Sequence, residues 1–196
     1  MDLKILLQIS ARDHSHLCPR QILGVRLGLA GMNALGFEEP PGEKQLIVIT
    51  ETDGCFVDGL SAATKCTVGH RTLRVEDNGK AAAIFADARS GRTIRVAPKP
   101  EIRHLACIYA PEESQSYMAQ MQAYQVMPEN EMFSFMEVRL KTSLESLISR
   151  PGLRVNCAEC GEEIMNEREV YKDGHPLCRS CAGDSFYTQG NISPIK

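Results

Sequence analysis

The chain has 196 residues, a net charge of −3 from 22 Lys+Arg against 25 Asp+Glu, and eight cysteines. That length suits one ordinary domain plus a small appendage, and 43% hydrophobic content excludes a disordered chain. The near-balanced charge disfavours a nucleic-acid partner, whose phosphates need a basic face.

Residues 3–9 have helical periodicity, with Leu3, Leu6 and Leu7 on one face. The segment opens with an acid and is too short and too little basic for a secretory leader. No stretch approaches the ~18 apolar residues of a membrane span. The expectation is a cytoplasmic protein with no membrane partner, in which thiols stay reduced. Pro19 to Leu35 is a stronger helix, because Pro19 suits a first turn and Ile22, Val25, Leu29 and Met32 recur at helical spacing. Gly24, Gly28 and Gly31 weaken that helix in isolation, which predicts close packing against another backbone.

Gln45 to Thr50 is expected as a buried strand, and Cys55 to Lys65 as a second helix. Leu73–Val75, Ala81–Ala86 and Thr93–Val96 follow as short strands, separated by turns at Asn78-Gly79 and Ser90-Gly91. Pro98, Pro100 and Pro111 mark a transition, after which Glu113–Val126 is an amphipathic helix and Glu137–Leu140 a strand candidate. The mixture lacks a regular βαβ repeat, so the fold class is α+β, a mixed sheet with packed helices. Pro151-Gly152 is the expected linker. The domains are then 1–150, a small four-cysteine finger of ribbon or treble-clef type at 151–187, and a tail at 188–196.

Cys157-Ala-Glu-Cys160 and Cys178-Arg-Ser-Cys181 are two CxxC pairs, with 17 residues between them. Two thiolates three residues apart converge on a tight turn, and two such knuckles complete a closed tetrahedral zinc site. About 30 residues cannot fold on their own core, so the metal supplies folding energy and the zinc is structural. Val170–Leu177 between the pairs is expected as a β-hairpin turning at Asp173-Gly174. His175 lies inside this module but has four cysteines as competitors.

Near the N-terminus, His14, His16 and Cys18 alternate just before a helix, where the helix dipole favours a thiolate. Cys55 holds a similar place before the second helix. Brought together, His16, Cys18 and Cys55 form a soft three-ligand site with a vacant position, suited to a second zinc or another transition metal, with His14 as an alternative ligand. The competing interpretation is exposed or capping histidines and a buried Cys55. Cys66 and Cys107 are expected as core thiols, with Cys66 alternatively a third neighbour of the site. His70 and His104 carry no supporting neighbours.

The sequence His14-Ser15-His16-Leu17-Cys18-Pro19, followed by Gly24-Val25-Arg26-Leu27-Gly28, resembles the opening motif of the formylmethanofuran dehydrogenase E-subunit family (FmdE). Glu51-Thr52-Asp53-Gly54-Cys55 with Asp58, Cys66-Thr67-Val68-Gly69 through Leu73, Asp77-Asn78-Gly79-Lys80 and Ser90-Gly91-Arg92 continue the resemblance over about residues 8–100. It implies an α+β core, a C-terminal finger, a homodimer and a metal site at His16, Cys18 and Cys55. Ser15 and Arg20 stand where the family usually has glycine, and Asn78 where it has tyrosine.

The family name points to one-carbon or molybdenum/tungsten redox metabolism. An open metal position polarises a carbonyl or activates water. Asp58, one turn after Cys55, and Lys80 are then candidate acid/base or anion-binding groups, against the alternative of solvated or salt-bridged charges. Thr67 and Gly69 are weaker candidates, as turn amides for an anion. No nucleophile–base pair stands out. The alternative is a non-catalytic accessory or regulatory protein whose finger docks a protein partner, with DNA placed last.

Overall fold

The computed structural model describes residues 1–12, 14, 16–42, 44–148 and 152–188. Asp13 and Ser15 of the histidine motif, Pro151 of the expected linker and residues 189–196 of the expected tail lie outside the described residues. The chain divides into two units, Met1–Leu144 and Glu145–Lys196. Among the described residues no helix is long and apolar enough to cross a membrane.

In the first unit, α1 (Leu3–Ala11) starts where the Asp2 side chain accepts from the Lys4 N–H at 2.8 Å, satisfying one of the unpaired amides of the first turn. Leu6 and Leu7 are buried on its inner face. The next helix, α2 (Pro19–Leu35), begins at Pro19 and stops at Gly36, whose φ of 87° takes the left-handed cap. Gln21, wholly buried, ties the two helices together. Its Oε1 accepts from the Cys18 N–H and its Nε2 donates to the Ser10 carbonyl, each at 2.8 Å.

β1 (Leu46–Thr50) is buried at every position, as its uninterrupted Leu-Ile-Val-Ile run demands. It leads into α3 (Cys55–Thr64) and then β2 (Leu73–Val75), which pairs with β1 in parallel, making one βαβ unit. β3 (Ala83–Asp87) pairs antiparallel on the other side of β1. β4 (Thr93–Pro98) follows through a hairpin in which the Asp87 carboxylate accepts from the Ser90 hydroxyl at 2.6 Å and Gly91 takes a φ of 74°. The order is β2-β1-β3-β4-β5, a mixed sheet in an α+β fold.

Two expectations need correction. The Asn78-Gly79 turn does not join paired strands, because β1 lies between β2 and β3. The strand expected at Glu137–Leu140 is β5 (Phe133–Glu137), fixed by antiparallel pairing of Phe135 with Val96. Between β4 and β5 run α4 (Ile102–Tyr109), a helix absent from the sequence expectation, α5 (Ser116–Val126) and the short α6 (Glu129–Met132).

The helix glycines are explained by contact. A Cβ on Gly24 would stand 2.2 Å from the Phe56 carbonyl oxygen of α3, and one on Gly59 would stand 2.3 Å from the Gln21 carbonyl oxygen of α2. Only glycine lets the two backbones approach this closely. Gly24 lies six residues after Cys18 and Gly59 four after Cys55, so this contact also draws the first turns of α2 and α3 together.

The second unit holds α7 (Leu144–Ile148, which begins at the boundary), β6 (Arg154–Asn156), β7 (Glu163–Met165), β8 (Val170–Lys172) and β9 (His175–Leu177). β6 pairs with β7 and β8 with β9, both antiparallel. The β8–β9 turn has Asp173 at φ 52° and Gly174 at φ 80°, the two left-handed residues of a type I′ hairpin.

Candidate functional site

In the second unit, the first CxxC pair follows β6 and the second follows β9. The four sulfurs of Cys157, Cys160, Cys178 and Cys181 lie within 4.8 Å of one another. Zn–S bonds of about 2.3 Å place tetrahedral sulfurs about 3.8 Å apart, so the quartet fits one zinc with no open position. Backbone amides already favour charge there: the Cys178 N–H donates to Cys157 Sγ at 3.3 Å and the Cys181 N–H to Cys178 Sγ at 3.4 Å. The amides of Cys160 first, then Cys178, bring the Cys157 thiol down to about 6. Side-chain hydrogen bonding with Cys178 first, and then burial, pushes the Cys181 thiol up. Four such groups lose their protons together only around a cation.

In the first unit, Cys18 is the N-cap of α2 and Cys55 the first residue of α3. Their thiols are neighbours. Burial first, and then the Cys18 side chain, raise the Cys55 thiol above its ordinary value, with the Asp58 charge adding to the effect. His14 Nε2 lies 2.8 Å from Asp58 Oδ2. His16 is exposed on the segment before Cys18. Among the described residues no second trio of His, Cys, Asp or Glu donors gathers as the quartet does. The core therefore presents a thiol pair beside a His–Asp pair.

The remaining candidates separate cleanly. Cys66 is buried, its Sγ 3.5 Å from the Leu46 carbonyl oxygen, and burial pushes its thiol up. Cys107, expected in the core, is exposed on α4. The Thr67 amide is taken by Thr72 Oγ1 at 3.0 Å, so it is not offered to an anion, while Thr67 Oγ1 lies 2.8 Å from His70 Nδ1. All eight cysteines are free thiols.

Cys18 also lines a cleft of about 810 Å³, formed within the first unit by the start of α2, the segment before β3, β4, α4 and α5. Arg20, Lys80, Arg95, Lys99 and Arg103 line it, together with Tyr117, Gln120 and Tyr124. Among the described residues no acidic side chain lines it. The end of α5, whose Tyr124 lines the cleft, is anchored by Arg26, which donates to the Tyr124 and Met127 carbonyls at 2.8 and 2.7 Å. Of these basic residues, the sequence motifs mark Lys80 as a candidate and Arg20 as a departure from the family pattern. The others carry no local signal, because their convergence depends on α4 and the order of the sheet.

Beneath the cleft, the buried Glu51 carboxylate accepts from Arg95 Nε and Nη2 at 2.5 and 2.9 Å, spanning β3 between them. The Glu51 carbonyl accepts from the Lys80 N–H at 3.0 Å, which fixes where Lys80 enters the cleft. Hydrogen bonding to Arg95 holds the Glu51 carboxyl below its ordinary value of 4.5, against burial. A depressed carboxylate stabilises the fold above the ordinary value, and that contribution disappears as pH falls through the folded one. Glu51→Gln is expected to cost about 2 kcal/mol at neutral pH, because it leaves the Arg95 charge unpaired. Below about pH 4 the variant and the parent should converge in thermal melts. A constant difference from about pH 7 to about pH 3 would show that the ion pair is not its source.

A family model described as "FmdE, Molybdenum formylmethanofuran dehydrogenase operon" matches residues 14–134. One described as "Prokaryotic dksA/traR C4-type zinc finger" matches residues 151–185. A curated relative from Archaeoglobus fulgidus, named "Probable S-adenosyl-L-methionine-binding protein", is 30% identical over 90% of this chain and 52% of its own. The chain thus spans about half the length of that relative. The crystal structure of a tungsten formylmethanofuran dehydrogenase FmdE-like protein from Syntrophus aciditrophicus has the same fold, with a TM-score of 0.59, 20% identity and 96% of each chain covered.

Proposed function

The chain belongs to the FmdE family and carries a C4-type zinc finger, and from that premise we propose a metal-binding protein of one-carbon or molybdenum/tungsten redox metabolism, with a second, functional ion in its first unit. The observation that carries this reading is the meeting of the Cys18 and Cys55 thiols at the first turns of two helices. Burial and the Cys18 side chain keep the Cys55 thiol protonated on its own, so an ion binds here by displacing protons, and a thiolate pair then selects soft or borderline ions such as zinc. His16, two residues before Cys18, is the third donor in this reading.

When bound, such an ion supplies Lewis-acid polarisation of a carbonyl or an activated water. The chain's own residues do the rest. Asp58 orients His14 and takes or returns a proton through it, and Lys80 holds negative charge at the cleft. The Archaeoglobus relative's S-adenosyl-L-methionine is not carried over to this cleft, whose basic lining opposes a sulfonium cation. We place the protein in the cytoplasm, as a homodimer.

The second reading is an accessory protein whose finger docks a partner, favoured by the exposed aromatic rings of Tyr171, Phe186 and Tyr187. Metal quantification on the full chain separates the two. Two equivalents are expected, with one lost in Cys18→Ser/Cys55→Ser and the other in Cys157→Ser/Cys160→Ser. A single equivalent, lost only in the finger variant, would overturn the core ion and leave the accessory reading.

A further inference from the structure

We infer that the cleft of the first unit is a binding site for a phosphorylated small molecule with an apolar or planar body. The inference goes beyond the metal reading and does not require an ion at Cys18 and Cys55.

The charge argument comes first. The chain is net negative at −3, yet five of its 22 basic residues line this one cavity and, among the described residues, no acid does. Two of the five have their charge or donors engaged, Arg95 by Glu51 and Lys99 by the Asn130 carbonyl at 2.6 Å. Lys80 feels the buried Glu51 carboxylate without an ion-pair contact. Arg20 and Arg103 make no ion pair among the described residues. Glu51 offsets part of this charge, but Arg20 and Arg103 add repulsion that solvent only partly screens and that an anion between them would relieve.

Position sharpens this. Arg20 is the second residue of α2 and Arg103 the second of α4. A basic side chain at a helix start faces the positive end of the helix dipole, the end at which acids are preferred. Both placements disfavour their own helices and add to the positive field over the same cavity. Arginine forks present paired N–H donors, a geometry that suits phosphate oxygens better than a point charge does.

Size and lining set the rest of the ligand. A cavity of about 810 Å³ is far larger than an inorganic anion and falls in the range of sites for whole metabolites. Leu23, Ala97, Pro98 and Ile102 give it an apolar floor, and Tyr117 and Tyr124 offer rings for a planar group. Cys18 is also part of the lining, so a ligand in this cleft shares its walls with one of the two paired thiols.

The probes are ADP, adenosine and inorganic phosphate, titrated calorimetrically into the full chain. ADP should bind one-to-one, at least about tenfold tighter than either fragment, and weaken with added salt. Arg20→Glu/Arg103→Glu should lose at least about tenfold in ADP affinity. Glutamate suits the first turn of a helix, so this variant is expected to melt at or above the parent temperature. Lys4→Glu/Lys141→Glu makes the same change in net charge outside the cleft and should bind ADP like the parent. Three results would each overturn the inference: no saturation with ADP below about 1 mM, equal binding by the cleft variant, or adenosine binding as tightly as ADP.

Discussion

Gly59→Ala is expected to destabilise the first unit by about 3 kcal/mol, although alanine is the better helix former. The new methyl would stand 2.3 Å from the Gln21 carbonyl oxygen, 2.7 Å from the Val25 nitrogen and 2.9 Å from the Gly24 Cα. All three are backbone atoms of α2, so no side chain can swing aside, and relief requires the two helices to part. The helix-propensity gain of up to about 1 kcal/mol offsets only part of that strain. Parting also separates Cys55 from Cys18, because Gly59 lies one turn beyond Cys55 on α3. Thermal unfolding should fall by about 6–12 °C. Gly42→Ala, where nothing lies within 4 Å, should melt like the parent. If Gly59→Ala melts with Gly42→Ala, the close approach of α2 and α3 does not hold the fold together.

That helix pair was legible in the sequence because its signals are local. Pro19 and the Ile22–Val25–Leu29–Met32 spacing set α2; of the three glycines expected to face another backbone, Gly24 does so, Gly28 meets the Ala63 side chain of α3, and Gly31 meets the Phe85 ring of β3. The C4 quartet was legible for the same reason: two short spacings each fix a knuckle, and one ion requires both. β5 was displaced because alternation runs on past Glu137, and only pairing with β4 decides which stretch becomes the strand. The missed helix α4 sits between prolines, and without it Cys107 had no outward face to occupy.

The core site was only half legible. Cys18 and Cys55 each sit at a recognisable helix start, and the glycine contact is what makes the two starts meet. Nothing local in the sequence shows that Asp58 engages His14. The cleft was the least legible feature. Residues 20, 80, 95, 99 and 103 come from four segments, and a chain-wide charge of −3 conceals a local excess of the opposite sign. Net charge bounds the average surface, whereas a binding site depends on the field inside one concavity.

Removing zinc is expected to unfold the finger while leaving the first unit folded. The strand pairs of the second unit, β6–β7 and β8–β9, are each two-stranded, and among the described residues Cys157 and Ile164 are the buried ones beside them. Isolated two-stranded ribbons are marginal in water, so the strands do not supply the stability that zinc coordination does, which is worth about 10–16 kcal/mol in finger peptides. Without the ion, the Cys157 charge favoured by backbone amides stands among three further sulfurs that it repels once they ionise. A chelator, or Cys178→Ala, should make Val155–Tyr187 susceptible to protease, with cuts falling inside the β8–β9 hairpin. Residues 1–144 should keep the melting transition of the parent. Peptide mapping by mass spectrometry reads the first outcome and calorimetry the second. A finger that resists protease after its zinc is gone would mean that packing, not metal, holds it.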